Sequence, residues 1–250
     1  MTRTIRFMLV AVILLWTPLI WGAISFDATS NAEGTSTSVS TGSHTVTPGT
    51  GSVGIVCVLG DVDTGSDNIT SVTWNSVGMT QVYKKVTGLF TGARMQYMYK
   101  LKGVTTGVIT ATFGSSHYIG IVAASYKDVP DTNSAESATT NITAGVATTS
   151  LTTTVTTNTA NDWLVLCDGQ YDAGSAPGAG GGTTRRNYLA ANGNLGLFDS
   201  NSALAAGSNS LITTQSASGT VGMTHTMTTL MPAGTVKSSF GLFLNLGANQ

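Results

Sequence analysis

Between residues 69 and 86, apolar and polar side chains alternate in two short runs broken by a polar pair. Val72 and Trp74 share one side with Thr73 between them, Asn75 and Ser76 interrupt, and Gln81 to Val86 resume the pattern. A period of two is the mark of a half-buried strand, and a polar pair between two such runs is the mark of a hairpin. Most of the chain from residue 25 onward repeats this grammar, and no stretch there sustains a helical period.

Taken in order, the pattern predicts a first strand at Ile24 to Asp27, followed by a Ser/Thr/Gly linker or loop as far as Gly42. Strands follow at His44 to Thr47 and Ser52 to Leu59, the latter continuously apolar and so expected to be covered on both faces. Arg94 to Leu101, Val108 to Phe113 and Tyr118 to Tyr126 are spaced like an antiparallel meander, with turns at Gly103 to Gly107 and Gly114 to Ser116. The second half continues with Thr148 to Thr157, Trp163 to Cys167, Asn194 to Asp199, Ser208 to Ser216, Gly222 to Met231 and an apolar run from Val236 to Leu246. A weak echo links the halves. Val46 to Asp61 resembles Val155 to Asp168, and Met95 to Phe113 resembles Leu195 to Gln215, which fits two half-units sharing one core.

Composition sharpens this picture. Of 250 residues, 41% are apolar, enough for a sizeable core, while only 9% are charged, so the outer faces must be built from Thr, Ser and Gly rather than ions. The formal charge is -1, and Lys84-Lys85 and Arg185-Arg186 are the only basic pairs. Nucleic acid needs a phosphate-neutralising basic face and is excluded as a partner.

Met1 to Arg6 is basic and Phe7 to Trp21 is mostly apolar, the layout of a secretory signal. Gly22-Ala23 offers a small-residue cleavage point, but Trp21 stands where a small residue is preferred, so residues 1–23 read as a signal peptide or an uncleaved anchor. Export places the protein outside the cell or at its surface, with membrane contact only through this segment if it stays. Export also makes a disulfide chemically permissible. Cys57 and Cys167 each lie in an apolar run, where the ordinary reading is two small buried hydrophobes. A bridge requires their strands to be neighbours.

Candidate chemistry is sparse. Asp61, Asp63 and Asp67 crowd around Gly65, and hard oxygen ligands on a tight loop suit calcium, although turns use the same residues. Glu33 and Glu136 sit far apart in Ser/Thr-rich loops, most aspartates fall at turns, and His44, His117 and His225 are scattered, so no catalytic pair or zinc spacing emerges. Tyr97 and Tyr99 share one side of a strand, and Tyr171 and Tyr188 flank a Gly-rich loop. These four are the candidate stacking surfaces for sugar rings.

The succession Ile24 to Asp27, Ser43 to Val46, Ile69 to Asn75 with Met79-Thr80, Tyr99 to Leu101, Thr106-Gly107, Ala124 to Tyr126 and Asn161 to Val165 resembles a β-sandwich module. Such modules occur in exported bacterial surface proteins and in phage tail or virion proteins. The resemblance implies an all-β, antiparallel sandwich of concanavalin A-like or jelly-roll type, one domain over residues 24–250, with a structural or adhesive role and no catalytic residues. The expected partners are further copies of the chain or cell-surface glycans, and the expected location is extracellular or virion-associated. A lectin-like module, calcium-dependent or not, is the alternative. Ser76 stands where the module's hairpin carries Gly, which a type I′ turn prefers.

Overall fold

Branching at Cβ stiffens χ1 and suits a pleated surface, so runs rich in Val, Ile and Thr favour strands over helix. The computed structural model describes residues 23–49, 51–62, 69–86, 93–129, 138–143, 148–158, 160–170, 176–190, 194–215 and 223–232, and among them is all-β, every pairing antiparallel. The first half holds β1 (Ser25–His44), β2 (Val53–Val62), β3 (Ile69–Trp74), β4 (Val77–Gly78), β5 (Thr80–Val86), β6 (Ala93–Lys102) and β7 (Gly107–Lys127). The second holds β8 (Ala138–Thr143), β9 (Ser150–Thr157), β10 (Trp163–Gln170), β11 (Gly178–Ala179), β12 (Thr184–Leu189), β13 (Asn194–Asp199), β14 (Gly207–Thr214) and β15 (Met223–Leu230).

The first sheet runs β4-β3-β7-β2-β6-β5, with β1 along the other edge of β7. It curls so far that Phe113 and Trp74 at one end pack into the same cluster as Val58, Tyr97 and Ile121 at the other. The second sheet runs β12-β13-β10-β15-β8 and the third β11-β14-β9. Alternation along β2 sends Val56 and Val58 into the curl, while Ile55, Cys57 and Leu59 meet Val165, Cys167 and Leu197 of the second sheet. Along β10, Leu164 and Leu166 turn the other way, toward Val155 and Leu211 of the third sheet. Consequently β2 and β10 lie in layers covered on both sides, which is why both runs are continuously apolar.

Local chemistry sets these contacts. Asn75 and Ser76 both take positive φ, 47° and 65°, so the hairpin keeps the type I′ form although serine replaces the usual glycine. The turn delivers Trp74 to the core, where its indole Nε1–H donates to Thr105 O at 2.8 Å and its ring lies over Gly54. A Cβ on Gly54 would collide with that ring and with Val104. Gly54→Ala is therefore expected to cost about 1–3 kcal/mol, read as a lower denaturant midpoint, and a neutral result would contradict this close approach.

The sequence echo corresponds to a repeated set of pairings. In the first half β7 pairs with β1, β2 and β3, β2 pairs with β6, and β6 pairs with β5. In the second half β14 and β15 together take the part of β7, pairing with β9 and β8 as β7 pairs with β1, and with β11 and β10 as β7 pairs with β3 and β2. Likewise β10 pairs with β13, and β13 with β12. Contacts between the halves are reciprocal: β12 touches β1 and β7, and its counterpart β5 touches β8 and β15. Two copies of one motif thus face each other about a pseudo-twofold axis, in the isologous manner of a symmetric dimer. Cys57 and Cys167 occupy equivalent positions and are joined, with Cα atoms 5.7 Å apart.

Several expectations are corrected. The segment read as a linker from Ala28 to Gly42 is strand, because β1 is paired along its length with β7 and exposes Thr35, Thr37, Ser38 and Ser40 while Ser30 and Thr41 turn inward. The two strands read at Val108 to Phe113 and Tyr118 to Tyr126 are one strand; Gly114 to Ser116 bend it without breaking it, near the shift in register at Ser36/Ser38. The meander is overturned too, since β2 lies between β6 and β7. The cysteines bridge through layers packed face to face, which strand adjacency within a sheet would not reveal.

Candidate functional site

Each half buries one histidine between its layers, and each imidazole bridges two hydroxyls. In the first half His44, at the end of β1, reaches Ser30 Oγ through Nδ1 at 2.8 Å and Ser125 Oγ through Nε2 at 3.0 Å. Ser125 Oγ in turn donates to Asp27 Oδ2 at 3.0 Å, and the Thr47 amide donates to the same oxygen. Because a carboxylate only accepts, Ser125 must give its proton to Asp27 and accept from His44 Nε2–H, leaving Nδ1 to accept from Ser30. The proton order is thus fixed, and His44 is not placed as a base for Ser125. Burial pushes the His44 imidazole down to about 4 against the opposing pull of Asp27. Burial alone would raise Asp27, but Thr47, Ser125 and the Lys127 ammonium, 3.7 Å away, hold it below the usual carboxylate range.

In the second half His225 on β15 reaches Thr153 Oγ1 through Nδ1 at 2.8 Å and Thr213 Oγ1 through Nε2 at 2.7 Å. Asp168 Oδ1 lies 3.8 Å from Nε2, and Gln170 Nε2 donates to Asp168 Oδ2 at 2.8 Å. Burial pushes His225 down to about 3 and raises Asp168 to about 7, the latter against the pull of Thr213 and Gln170. A third buried carboxylate, Asp199, takes Arg186 Nε at 2.6 Å and the Tyr126 hydroxyl at 3.1 Å, tying the two halves together. Compared with models of protein families, with curated proteins and with solved structures, the chain matches none.

The outer layers carry a different arrangement. On the first half's outer face, Ser38, Thr112 and Ser71 form one row across β1, β7 and β3, and Ser40, Thr110 and Thr73 form the next. Ser40 and Thr110 hydroxyls are 2.8 Å apart, and Ser38 and Thr112 3.3 Å. On the third sheet Thr154 stands against Ser210, with hydroxyls 2.7 Å apart, and Thr156 against Ser208. Cross-strand bonds of this kind hold hydroxyl rotamers in place before any partner arrives. No charged residue stands in these rows.

The sequence candidates fare unevenly. Tyr97 and Tyr99 are in the core, 0% and 6% exposed, with Tyr97 edge-on to Phe113, so neither offers a ring face to a sugar. Alternation along β6 turns that side inward. Tyr188 is 37% exposed, but Arg185 lies 4.3 Å over its ring. Tyr171, Asp63 and Asp67 lie outside the described residues, as do residues 1–22 and the run from Val236 to Leu246; Asp61 is described only through its backbone in β2. Asp27, Asp168 and Asp199 are strand residues rather than turn residues, and His44 and His225 are core residues. Nothing in their local sequence marks the relays, whose members come from strands up to 98 positions apart.

Proposed function

We propose that this is an exported, non-enzymatic structural or adhesive protein, an antiparallel β-sandwich of jelly-roll type. It decorates or assembles into a cell surface, extracellular filament or virion. The observation that carries this reading is the pair of outer faces, one per half, whose rows of Ser and Thr are uncharged and already ordered by cross-strand bonds. Such faces suit close contact with another neutral, hydroxyl-rich surface, because few ions need to be stripped of water. Burial of Tyr97 and Tyr99 leaves the lectin alternative with little aromatic platform among the described residues.

Negative-stain electron microscopy and light scattering on the protein from its native envelope or particle fraction test the proposal. Ordered polymers, arrays or retention on that surface are expected, with loss in the Thr110→Lys, Thr154→Lys double variant. A soluble monomer that adheres to no surface fraction would overturn it.

A further inference from the structure

The two motifs are filled differently at one end of the second. The registers place Asp168 where the first motif has Val58, His225 where it has Ile121 and Gln170 where it has Gly60, and Thr213 lies on β14, the counterpart of the part of β7 that carries Phe113. In the first motif this end is filled by the Phe113 ring lying on Gly60. The fold is therefore satisfied by apolar packing here, and the polar set in the second motif calls for a reason other than folding.

Among the oxygens at this end of the second motif that find no hydrogen-bond donor among the described residues are Asp168 Oδ1, Gln170 Oε1 and Gln215 Oε1. Their residues are 0%, 1% and 6% exposed. Both amides are oriented by their donors, since Gln170 Nε2 donates to Asp168 Oδ2 and Gln215 Nε2 to Thr148 O at 2.6 Å, so each Oε1 is turned away from those bonds. Gln170 lies two residues beyond Asp168, and Gln215 two beyond Thr213, on the inward faces of β10 and of the continuation of β14. All three orphans are acceptors, and buried acceptors demand donors or a cation. Both His225 nitrogens are already engaged by threonine hydroxyls, which removes the soft ligand a transition metal would want.

We infer that Asp168, Gln170 and Gln215 form a binding site for a hard cation, calcium, between the second and third sheets. One carboxylate and two amide carbonyls, completed by water, are oxygen ligands of the kind calcium takes. A single ligand charge puts the affinity near the weak, extracellular end of its range, about 10⁻⁴–10⁻³ M. This site is separate from the Asp61, Asp63 and Asp67 loop. It does not depend on the structural or adhesive reading.

The test is thermal unfolding of the disulfide-bonded protein at pH 8 after chelator treatment, with and without 10 mM calcium chloride as an order-of-magnitude saturating dose. Matched magnesium and sodium samples serve as controls, and calorimetric titration gives the stoichiometry. Calcium is expected to raise Tm by roughly 3–10 °C. Asp168→Asn, which keeps shape, should remove the shift while retaining the wild-type circular dichroism spectrum, and the Asp61→Asn, Asp63→Asn, Asp67→Asn variant should keep it. Absence of a calcium shift in the wild-type protein would overturn the proposal, as would a shift that survives Asp168→Asn or vanishes with the triple loop variant. If Asp168→Asn fails to fold, Gln170→Leu supplies the same comparison.

Discussion

Replacing Cys57 and Cys167 together by alanine lowers the free energy of unfolding by about 2–5 kcal/mol. The bridge spans 110 positions, so it removes a large share of the freedom of the unfolded chain, and loop-closure reasoning places such long loops at the upper end of that range. It also joins the two central layers at the point where the motifs face each other. Guanidinium unfolding of the double variant, beside reduced wild-type protein, gives the measurement. Both should shift to the same lower midpoint. A loss below about 1 kcal/mol would mean that core packing alone holds the halves together.

Acidification from pH 6.5 to pH 4 removes about 3 kcal/mol of stability through His44. Its imidazole is buried and titrates at about 4, against an ordinary value of 6.5, so the unfolded chain takes up the proton first. The stability is complete above the unfolded value and is lost as the pH falls toward the folded one. His225 acts in the same direction, with a folded value of about 3. Asp168 opposes it: its carboxyl titrates at about 7 in the fold and 3.8 in the open chain, so folding gains stability as pH falls through that window. These two contributions oppose each other, as do those of Asp27, held below its ordinary value, and Asp199, raised by burial, which leaves His44 as the main unopposed group. Urea midpoints at several pH values, in chelator-containing buffer, should show a flatter acid limb in His44→Gln and a steeper one in Asp168→Asn. An unchanged slope in His44→Gln would remove His44 as the cause.

Much of the fold was legible because it rests on local alternation. Val72 and Trp74 announce a hairpin whose apolar side is buried, and the unbroken apolar runs around Cys57 and Cys167 announce layers covered twice. What escaped the sequence is non-local. Ala28 to Gly42 reads as a linker or loop until a 21-residue partner strand is available to pair with it. Tyr97 and Tyr99 share a side, as their spacing predicts, but period alone does not say which side faces water. His44 and Ser125, or His225 and Thr153, become neighbours only when sheets stack, so no spacing in the chain encodes them.

The covalent link between equivalent positions also governs how the molecule would carry a load. A pull applied across the fold from β1 to β15 can draw out only the chain before Cys57 and after Cys167. The roughly 110 residues between them, about 360–400 Å of extended backbone, stay out of the force path while the bond is intact. Tension is therefore borne through the two central layers, and the oxidised protein behaves as a short, stiff tether where the reduced one would lengthen.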